Sequence, residues 1–122
     1  MAKINIRGAK ELYRFVVYNK RRCLVRSYLV RTDGSVLRRS MDRWVVYRTK
    51  GDMALVDRWV QKMRDHEDLE VFMGKSEPTY DTRRRWLNKG TSKAIDGCKV
   101  AVRRCCEHGY PCWLMATYMV VD

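Results

Sequence analysis

The feature that most constrains the fold is a change in the spacing of apolar residues at Lys50-Gly51. The fifty residues before it are rich in Val, Tyr, Leu and Arg with short polar breaks, a composition typical of strands. After Gly51 the apolar residues recur at helical spacing through about Asp65, and Asp52 is a good N-cap. We therefore predict a helix that ends near Asp65 and four strands before it, at residues 11–18, 23–31, 35–41 and 43–49.

The remainder of the chain predicts shorter elements and one more long helix. The short elements are a strand, a helix closed by Lys89-Gly90 and a final strand, at Leu69–Met73, Thr79–Asn88 and Trp113–Val121. From Ser92 the apolar residues recur at spacings of three, four and three, which predicts a long helix that Gly109 and Pro111 end. The residues with this spacing are Ile95, Cys98, Val102 and Cys105.

This order of elements predicts an α+β fold, with an antiparallel or mixed sheet of about four to six strands and two or three helices packed on one face. The chain has 122 residues and no repeat or linker, so residues 1–122 are expected to form a single domain. Over residues 11–65, the Arg-rich sheet followed by an amphipathic helix resembles in plan sheet-type DNA readers such as integrase arm-binding domains. The resemblance includes no shared signature motif.

The best local turn signal is Asp33-Gly34, because both residues tolerate the positive φ angles of a two-residue hairpin turn. Such a turn places Thr32 opposite Ser35 and Val30 opposite Leu37. Neither side of the sheet is then wholly apolar. This mixing is expected if one face packs on helices while the other presents Arg and aromatic groups to a ligand, and a wrong register would also produce it.

The charge of the chain is strongly positive. Lys and Arg total 26 against 14 acidic residues, which gives a net charge of +12, and 14 of those basic residues lie in the first fifty positions. Such an excess favours a negatively charged partner. The expected partner is nucleic acid of unknown type, or else an acidic protein or nucleoprotein complex.

Cysteine usage and the N-terminus predict an intracellular protein, cytoplasmic or associated with the nucleus or nucleoid, and not a secreted one. The five cysteines are an odd number with a vicinal pair, which makes a poor disulfide framework. The first residues lack the apolar run of a signal peptide, and no stretch approaches the roughly 20 apolar residues of a membrane span. No membrane association is expected.

Arg alternates with aromatic residues at several places, for example at Arg43-Trp44 and Arg85-Trp86. Guanidinium groups grip phosphates, and aromatic rings stack on unpaired bases for about 1 to 3 kcal/mol each. The candidate stacking residues are Tyr28, Trp44, Tyr47 and Trp86. The alternative for any one pair is that alternation along a strand merely buries the ring and leaves Arg in solvent.

Three clusters of basic residues are the main candidates for phosphate contacts, because neighbouring cations repel one another and a bound anion stabilises them. They are Lys20, Arg21 and Arg22; Arg38 and Arg39; and Arg83, Arg84 and Arg85. Further candidates are Arg26, Arg31, Arg103 and Arg104, the last two facing outward from the predicted long helix. The alternative is that these clusters are solvated surfaces without a role.

A second group of residues could bind zinc, which takes four tetrahedral thiolate or imidazole ligands. The candidates are Cys98, Cys105, His108 and Cys112. Their spacing matches no standard zinc finger, and buried cysteines on the apolar side of a helix would explain them equally well. No cofactor is therefore expected.

Nothing in the sequence identifies a catalytic reaction. An exposed helix end explains the dense acidic group around His66. A cysteine nucleophile with His108 as its base would lack a recognisable third residue to orient the histidine. The expected function is non-enzymatic nucleic-acid binding through Arg, Lys and aromatic residues. Two alternatives stay open: a small viral or mobile-element interaction or inhibitor protein that docks on an acidic host protein or nucleoprotein complex, and a small zinc-stabilised domain.

Overall fold

A computed structural model of the chain describes residues 9–117. It contains a five-stranded antiparallel sheet, a two-stranded sheet and three helices, which confirms the predicted α+β fold class. The strands are β1 (Glu11–Asn19), β2 (Leu24–Arg31), β3 (Val36–Ser40), β4 (Arg43–Arg48), β5 (Leu69–Met73), β6 (Thr91–Lys93) and β7 (Lys99–Ala101). The helices are α1 (Met53–Asp65), α2 (Tyr80–Lys89) and α3 (Trp113–Ala116). None of the helices in residues 9–117 is long and apolar enough to cross a membrane.

The chain divides into two compact units. Among the described residues, the first unit contains 9–20 and 26–76, and the second contains 21–25 and 77–117. Whether the two units unfold together, as one domain would, stays a prediction.

The first unit is built on the five-stranded sheet, in the order β4-β3-β2-β1-β5. One side of this sheet packs with α1 in a core that includes Phe15, Val30 and Val60. Burying an apolar side chain of this size contributes about 1.5 to 3 kcal/mol. At the start of α1, the Asp52 carboxylate accepts a hydrogen bond of 2.9 Å from the Ala54 N–H. The four early strands, α1 and β5 are confirmed as the sequence predicted.

The hairpin between β2 and β3 differs from the prediction in its turn and register. Its loop has three residues, 32 to 34, and only Gly34 has a positive φ, of 81°, so the two-residue turn was wrong. The Asp33 carboxylate accepts a hydrogen bond of 2.9 Å from the Ser35 N–H and another from its hydroxyl, which holds the longer loop. Val30 therefore lies opposite Val36, not opposite Leu37. One mixed pair remains in the observed register, since Tyr28 lies opposite Arg38.

The second unit departs most from the sequence prediction. The long helix expected from Ser92 is wrong, since β6 and β7 pair as an antiparallel hairpin over the same residues. Gly97 and Arg103 have positive φ angles of 97° and 69°, which a helix excludes. The strand expected from Trp113 is also wrong, because residues 113–116 form α3, and residues 118–121 of that prediction lie outside the described part. Helix α2 is confirmed, with Gly90 at its C-cap.

Two turns of the second unit repeat the geometry of the β2–β3 loop. They span Ala94–Cys98 and Cys106–Tyr110. In each, the first residue donates its N–H to the carbonyl of the fifth, at 2.7 and 2.9 Å, and accepts from the N–H of the fourth, at 2.9 Å in both. The fourth residue is a glycine with positive φ, Gly97 or Gly109. The same backbone turn thus occurs three times in the described chain, once in the first unit and twice in the second.

Candidate nucleic-acid interface and Cys-His-Asp cluster

A cleft of about 340 Å³ opens between α2 and the β6–β7 hairpin of the second unit. Helix α2 contributes one side chain to it and the hairpin strands contribute the rest. The lining residues are Trp86, Thr91, Ser92, Lys93, Lys99, Val100 and Ala101. None of these seven residues is acidic, so the cleft has a positive lining.

The two lysines of the cleft face one another across the hairpin. Lys93 lies directly opposite Lys99 in the register of the antiparallel pair, and both side chains are exposed. Residues directly opposite in such a pair project to the same side of the sheet. Their like charges destabilise the hairpin unless an anion lies between them.

Trp86 forms the apolar wall of this cleft. It is half-buried and packs against the buried cluster of Cys112 and Leu114, as Val100 of β7 does. This packing fixes one part of the indole while another part lines the cleft. The cleft therefore combines a fixed aromatic surface with two cations.

The exposed face of α2 adds further cations next to Trp86. Arg85 and Lys89 are both exposed and are separated by four positions, so they are neighbours on the helix and repel one another. Arg83, in contrast, is buried, and its guanidinium lies 4.0 Å from the Glu77 carboxylate. Arg83 therefore stabilises the unit internally, while Arg84 and Arg85 are on its surface.

The predicted binding residues fall into three groups by exposure. The exposed ones are Lys20, Arg21, Arg22, Arg26, Tyr47, Arg84, Arg85, Arg103 and Arg104. The half-buried ones are Arg38, Arg39, Trp44 and Trp86. The buried ones are Tyr28, Arg31 and Arg83. Arg103 and Arg104 face solvent as expected, although they follow β7 and not a helix.

In the first unit, the Arg and aromatic residues contact one another. The guanidinium carbons of Arg14 and Arg39 lie 5.7 and 5.4 Å from the centre of the Trp44 ring. Arg14 also forms an ion pair with Glu11, so the charge beside this ring is already compensated. Cation–π contacts of this kind stabilise the sheet locally. Trp44 is consequently a weaker candidate for stacking on a base than Trp86.

The other predicted aromatic residues of the first unit belong to one ring cluster. Tyr28 packs edge-on against Tyr47 and Trp59, at centroid distances of 5.3 and 5.1 Å. Tyr47 stacks on Trp59 at 5.7 Å, and the Arg48 guanidinium lies 5.2 Å from the Trp59 ring centre. The buried Tyr28 is part of the core, where a base does not reach it.

A second candidate site lies in the turns of the second unit. Asp96, Cys98, Cys106 and His108 bring one oxygen, two sulfurs and one nitrogen within 4.8 Å of one another. No other three His, Cys, Asp or Glu side chains within residues 9–117 converge in this way. Of the four candidate zinc ligands named from the sequence, the structure places Cys98 and His108 in this cluster.

The other two candidates, Cys105 and Cys112, lie outside the cluster. Cys105 is exposed and outside the cluster, and Cys112 is fully buried beside Leu114. Cys106 takes the place expected for Cys105, because the turn points the second cysteine of the vicinal pair inward. Asp96 was missed, since sequence reasoning placed it inside a helix. The Asp96-Gly97 dipeptide, which matches Asp33-Gly34, was the signal for a turn there.

Hydrogen bonds within the cluster shift the pKa values of two members. The hydrogen bond from the Cys98 thiol to the Asp96 carboxylate, together with burial, raises the pKa of that thiol to about 11. Burial pushes the pKa of Asp96 upward, but hydrogen bonds from the Cys98 N–H, the Cys98 thiol and the Cys106 thiol, with the nearby His108, hold it below its ordinary value. A thiol with so high a pKa is a poor free nucleophile near neutral pH.

Comparison of the chain with protein-family models, with curated proteins and with solved structures found no match.

Proposed function

We propose that this protein binds nucleic acid, without catalysing a reaction on it, through the cleft between α2 and the β6–β7 hairpin. The observation that carries the proposal is the placement of Lys93 opposite Lys99, next to the half-buried ring of Trp86. Two like charges held face to face, beside an aromatic surface and without an acid in the lining, match the chemistry of a nucleotide unit.

In this proposal the two lysines hold one phosphate and Trp86 stacks on the adjoining base. The phosphate neutralises the repulsion between Lys93 and Lys99, so part of the binding energy is relief of a destabilising pair. Stacking on Trp86 contributes about 1 to 3 kcal/mol and requires an unpaired base. The cleft volume of about 340 Å³ is near the lower end of the usual range of about 300 to 1,000 Å³ for small-ligand sites. A single strand therefore fits the cleft better than a duplex.

Other cations of the second unit extend the contact along the backbone. The described part of this unit carries ten Lys and Arg against four Asp and Glu. Arg84, Arg85 and Lys89 of α2 and Arg103 and Arg104 after β7 are all exposed. Long-range attraction by this charge raises the association rate and makes binding depend on salt.

The test is binding of the nuclease-treated protein to labelled single-stranded DNA, single-stranded RNA, duplex DNA and duplex RNA between about 50 and 300 mM salt. We expect the single strands to bind more tightly. Each phosphate of a single strand that the protein neutralises contributes about 0.7 to the slope of log K against log salt. Because Lys93 and Lys99 hold one phosphate in this proposal, K93Q/K99Q is expected to reduce the slope by about 0.7.

The matched control is K50Q/K62Q, which removes two exposed lysines from the first unit. Its net charge equals that of K93Q/K99Q. This variant is expected to keep the salt slope and affinity of the unchanged protein. An equal loss of affinity in both double variants would show that binding depends on net charge alone. That result would reject the cleft as the binding site. Weak binding to all four ligands would reject nucleic acid as the partner.

Strand β4 favours a second candidate function, binding of an acidic protein. Within the described sheet β4 pairs only with β3, so its other edge is open to a strand from a partner. Val45, Val46 and Tyr47 are 40%, 52% and 43% exposed, between exposed Arg43 and Arg48. The supporting result is a stoichiometric complex with an acidic protein that resists nuclease. V46K is expected to abolish this complex and K93Q/K99Q to preserve it, which would favour this candidate over the first.

A further inference from the structure

We infer that Asp96, Cys98, Cys106 and His108 bind one zinc ion in the second unit. The donor atoms are the thiolate sulfurs of the two cysteines, a carboxylate oxygen and the imidazole Nδ1. Two thiolates, one imidazole and one carboxylate form a set that suits zinc, which is four-coordinate and accepts sulfur, nitrogen and oxygen ligands. Calcium and magnesium prefer all-oxygen sites, so this donor set disfavours them.

Four of five distances between the donor atoms match a tetrahedral site, and the fifth, from an Asp96 oxygen to the His108 Nδ1, is shorter. Zinc bonds of about 2.3 Å to sulfur and about 2.0 to 2.2 Å to nitrogen or oxygen place tetrahedral ligand atoms about 3.3 to 3.8 Å apart. The Cys98 and Cys106 sulfurs lie 3.4 and 3.8 Å from the Nδ1 of His108. The same two sulfurs lie 3.4 and 3.5 Å from Asp96 carboxylate oxygens, and an Asp96 oxygen lies 2.9 Å from Nδ1. An ion can therefore enter with small side-chain shifts.

The backbone holds the four ligands in place through two equivalent turns. The turn at residues 94–98 supplies Asp96 and Cys98, and the turn at 106–110 supplies Cys106 and His108. Each turn contributes its pair two positions apart, with a positive-φ glycine between or just after them. Because both turns are fixed by backbone hydrogen bonds, the site needs little ordering when metal binds.

The two turns are joined to each other by backbone pairing outside the cluster. Ala94 pairs with Cys112, and the Ile95 N–H donates to the Pro111 carbonyl at 3.2 Å. Cys106 is buried, Asp96 and Cys98 are half-buried, and the His108 side chain is 54% exposed. The exposed imidazole gives metal a path to the site from solvent.

The role of the ion is structural. Four protein ligands fill a tetrahedral zinc site and leave no open position for a substrate or a reactive water. The ion links the loop between β6 and β7, which includes the buried Ile95, to the loop that leads to α3, which includes the buried Pro111. Zinc therefore joins these two loops, and its binding free energy adds to the stability of the second unit.

The test measures metal content and ligand geometry directly. The full chain, purified under reducing conditions, stripped of metal and reloaded, is expected to bind one zinc per chain. Cobalt in place of zinc is expected to give the visible bands of a tetrahedral ion and a near-ultraviolet thiolate-to-cobalt band. Both readouts are independent of nucleic-acid binding, so failure of this inference and failure of the proposed function are distinguishable.

Variants identify the ligands. C98S, C106S and H108A are each expected to weaken zinc binding by at least about 100-fold, because even removal of groups that only support a ligand costs 10- to 100-fold. H108C keeps four ligands and raises the thiolates from two to three, so its thiolate-to-cobalt band is expected to grow about 1.5-fold. Retention of metal by H108C would show that the weaker zinc binding of H108A does not result from a failure to fold.

The controls are C105S and H66A, which change the neighbouring exposed cysteine and the other histidine of the chain. Both are expected to bind zinc as the unchanged protein does. Less than stoichiometric zinc in the unchanged chain, an octahedral cobalt spectrum, or equal loss in C105S and C106S would each overturn the assignment.

Discussion

Lys93 lies directly opposite Lys99 across the short hairpin of β6 and β7, and both side chains are exposed. Like charges in this position destabilise a strand pair by up to about 1 kcal/mol. An arrangement that costs stability in the free protein and is relieved by an anion is typical of a binding site.

The first prediction follows from that cost. K99Q is expected to raise the free energy of unfolding by about 0.2 to 1 kcal/mol, because it removes the repulsion, and to weaken binding of a single strand. Urea unfolding and binding at fixed salt measure the two effects. K62Q, on the exposed face of α1, removes the same charge and is expected to change neither quantity appreciably. A K99Q variant that loses both stability and affinity would indicate that Lys99 supports the fold and does not serve a ligand.

The second prediction separates stacking from charge. W86L keeps an apolar side chain against Cys112 and Leu114 but removes the ring, so affinity for a single strand is expected to fall by about 1 to 3 kcal/mol. The salt slope is expected to stay the same, because no phosphate contact is lost. The control is W44L, where the ring already lies beside two guanidinium groups, and it is expected to bind normally. Equal losses in the two variants would contradict the assignment of stacking to Trp86.

Most of the first unit could be predicted from the sequence because the spacing of its apolar residues indicates the type of each element. Alternating Val, Tyr and Arg before Lys50, and helical spacing after Asp52, each match one kind of element. The register of β2 and β3 could not be predicted from the Asp33-Gly34 dipeptide alone. That dipeptide also fits a three-residue loop with one positive-φ glycine, and the choice depends on hydrogen bonds from Ser35.

The second unit was mispredicted because residues of apolar type occurred by chance at helical spacing. Ile95 is buried beside a turn, Cys98 belongs to the polar cluster, and Cys105 is exposed. Spacings of three and four among such residues therefore carried no information about a helix. Two of the four cluster residues, Cys98 and His108, were candidates from the sequence, because cysteines near a histidine are typical of metal sites. Which of Cys105 and Cys106 turns inward depends on backbone angles that the sequence does not reveal.

The third prediction tests the turn that recurs in both units. Gly34 has φ 81°, and a Cβ atom there would lie 2.2 Å from the carbonyl oxygen of Gly51. G34A is therefore expected to cost more than the roughly 1 to 2 kcal/mol that a left-handed conformation costs an alanine. Gly74 is the matched control, because its φ is 76° and no atom lies within 4 Å of an added Cβ. In urea unfolding, the free energy of unfolding of G74A is expected to fall only by this conformational cost. Equal decreases in the free energy of unfolding of G34A and G74A would show that the backbone at Gly51 moves away from the added Cβ without cost.

The fourth prediction concerns removal of the metal. A ligand that binds only the folded chain stabilises it by about 2.7 kcal/mol when its free concentration is 100 times its dissociation constant. A chelator is therefore expected to lower the free energy of unfolding of the unchanged protein and of C105S by at least this amount, and to leave H108A unaffected. The measurement is urea unfolding of each chain with zinc and with chelator, under reducing conditions. H108A is the most informative variant, because this side chain is the most exposed of the four ligands and its loss leaves no buried cavity. If H108A responded to chelator as strongly as the unchanged chain, the stabilising ion would be bound elsewhere and His108 would not be its ligand.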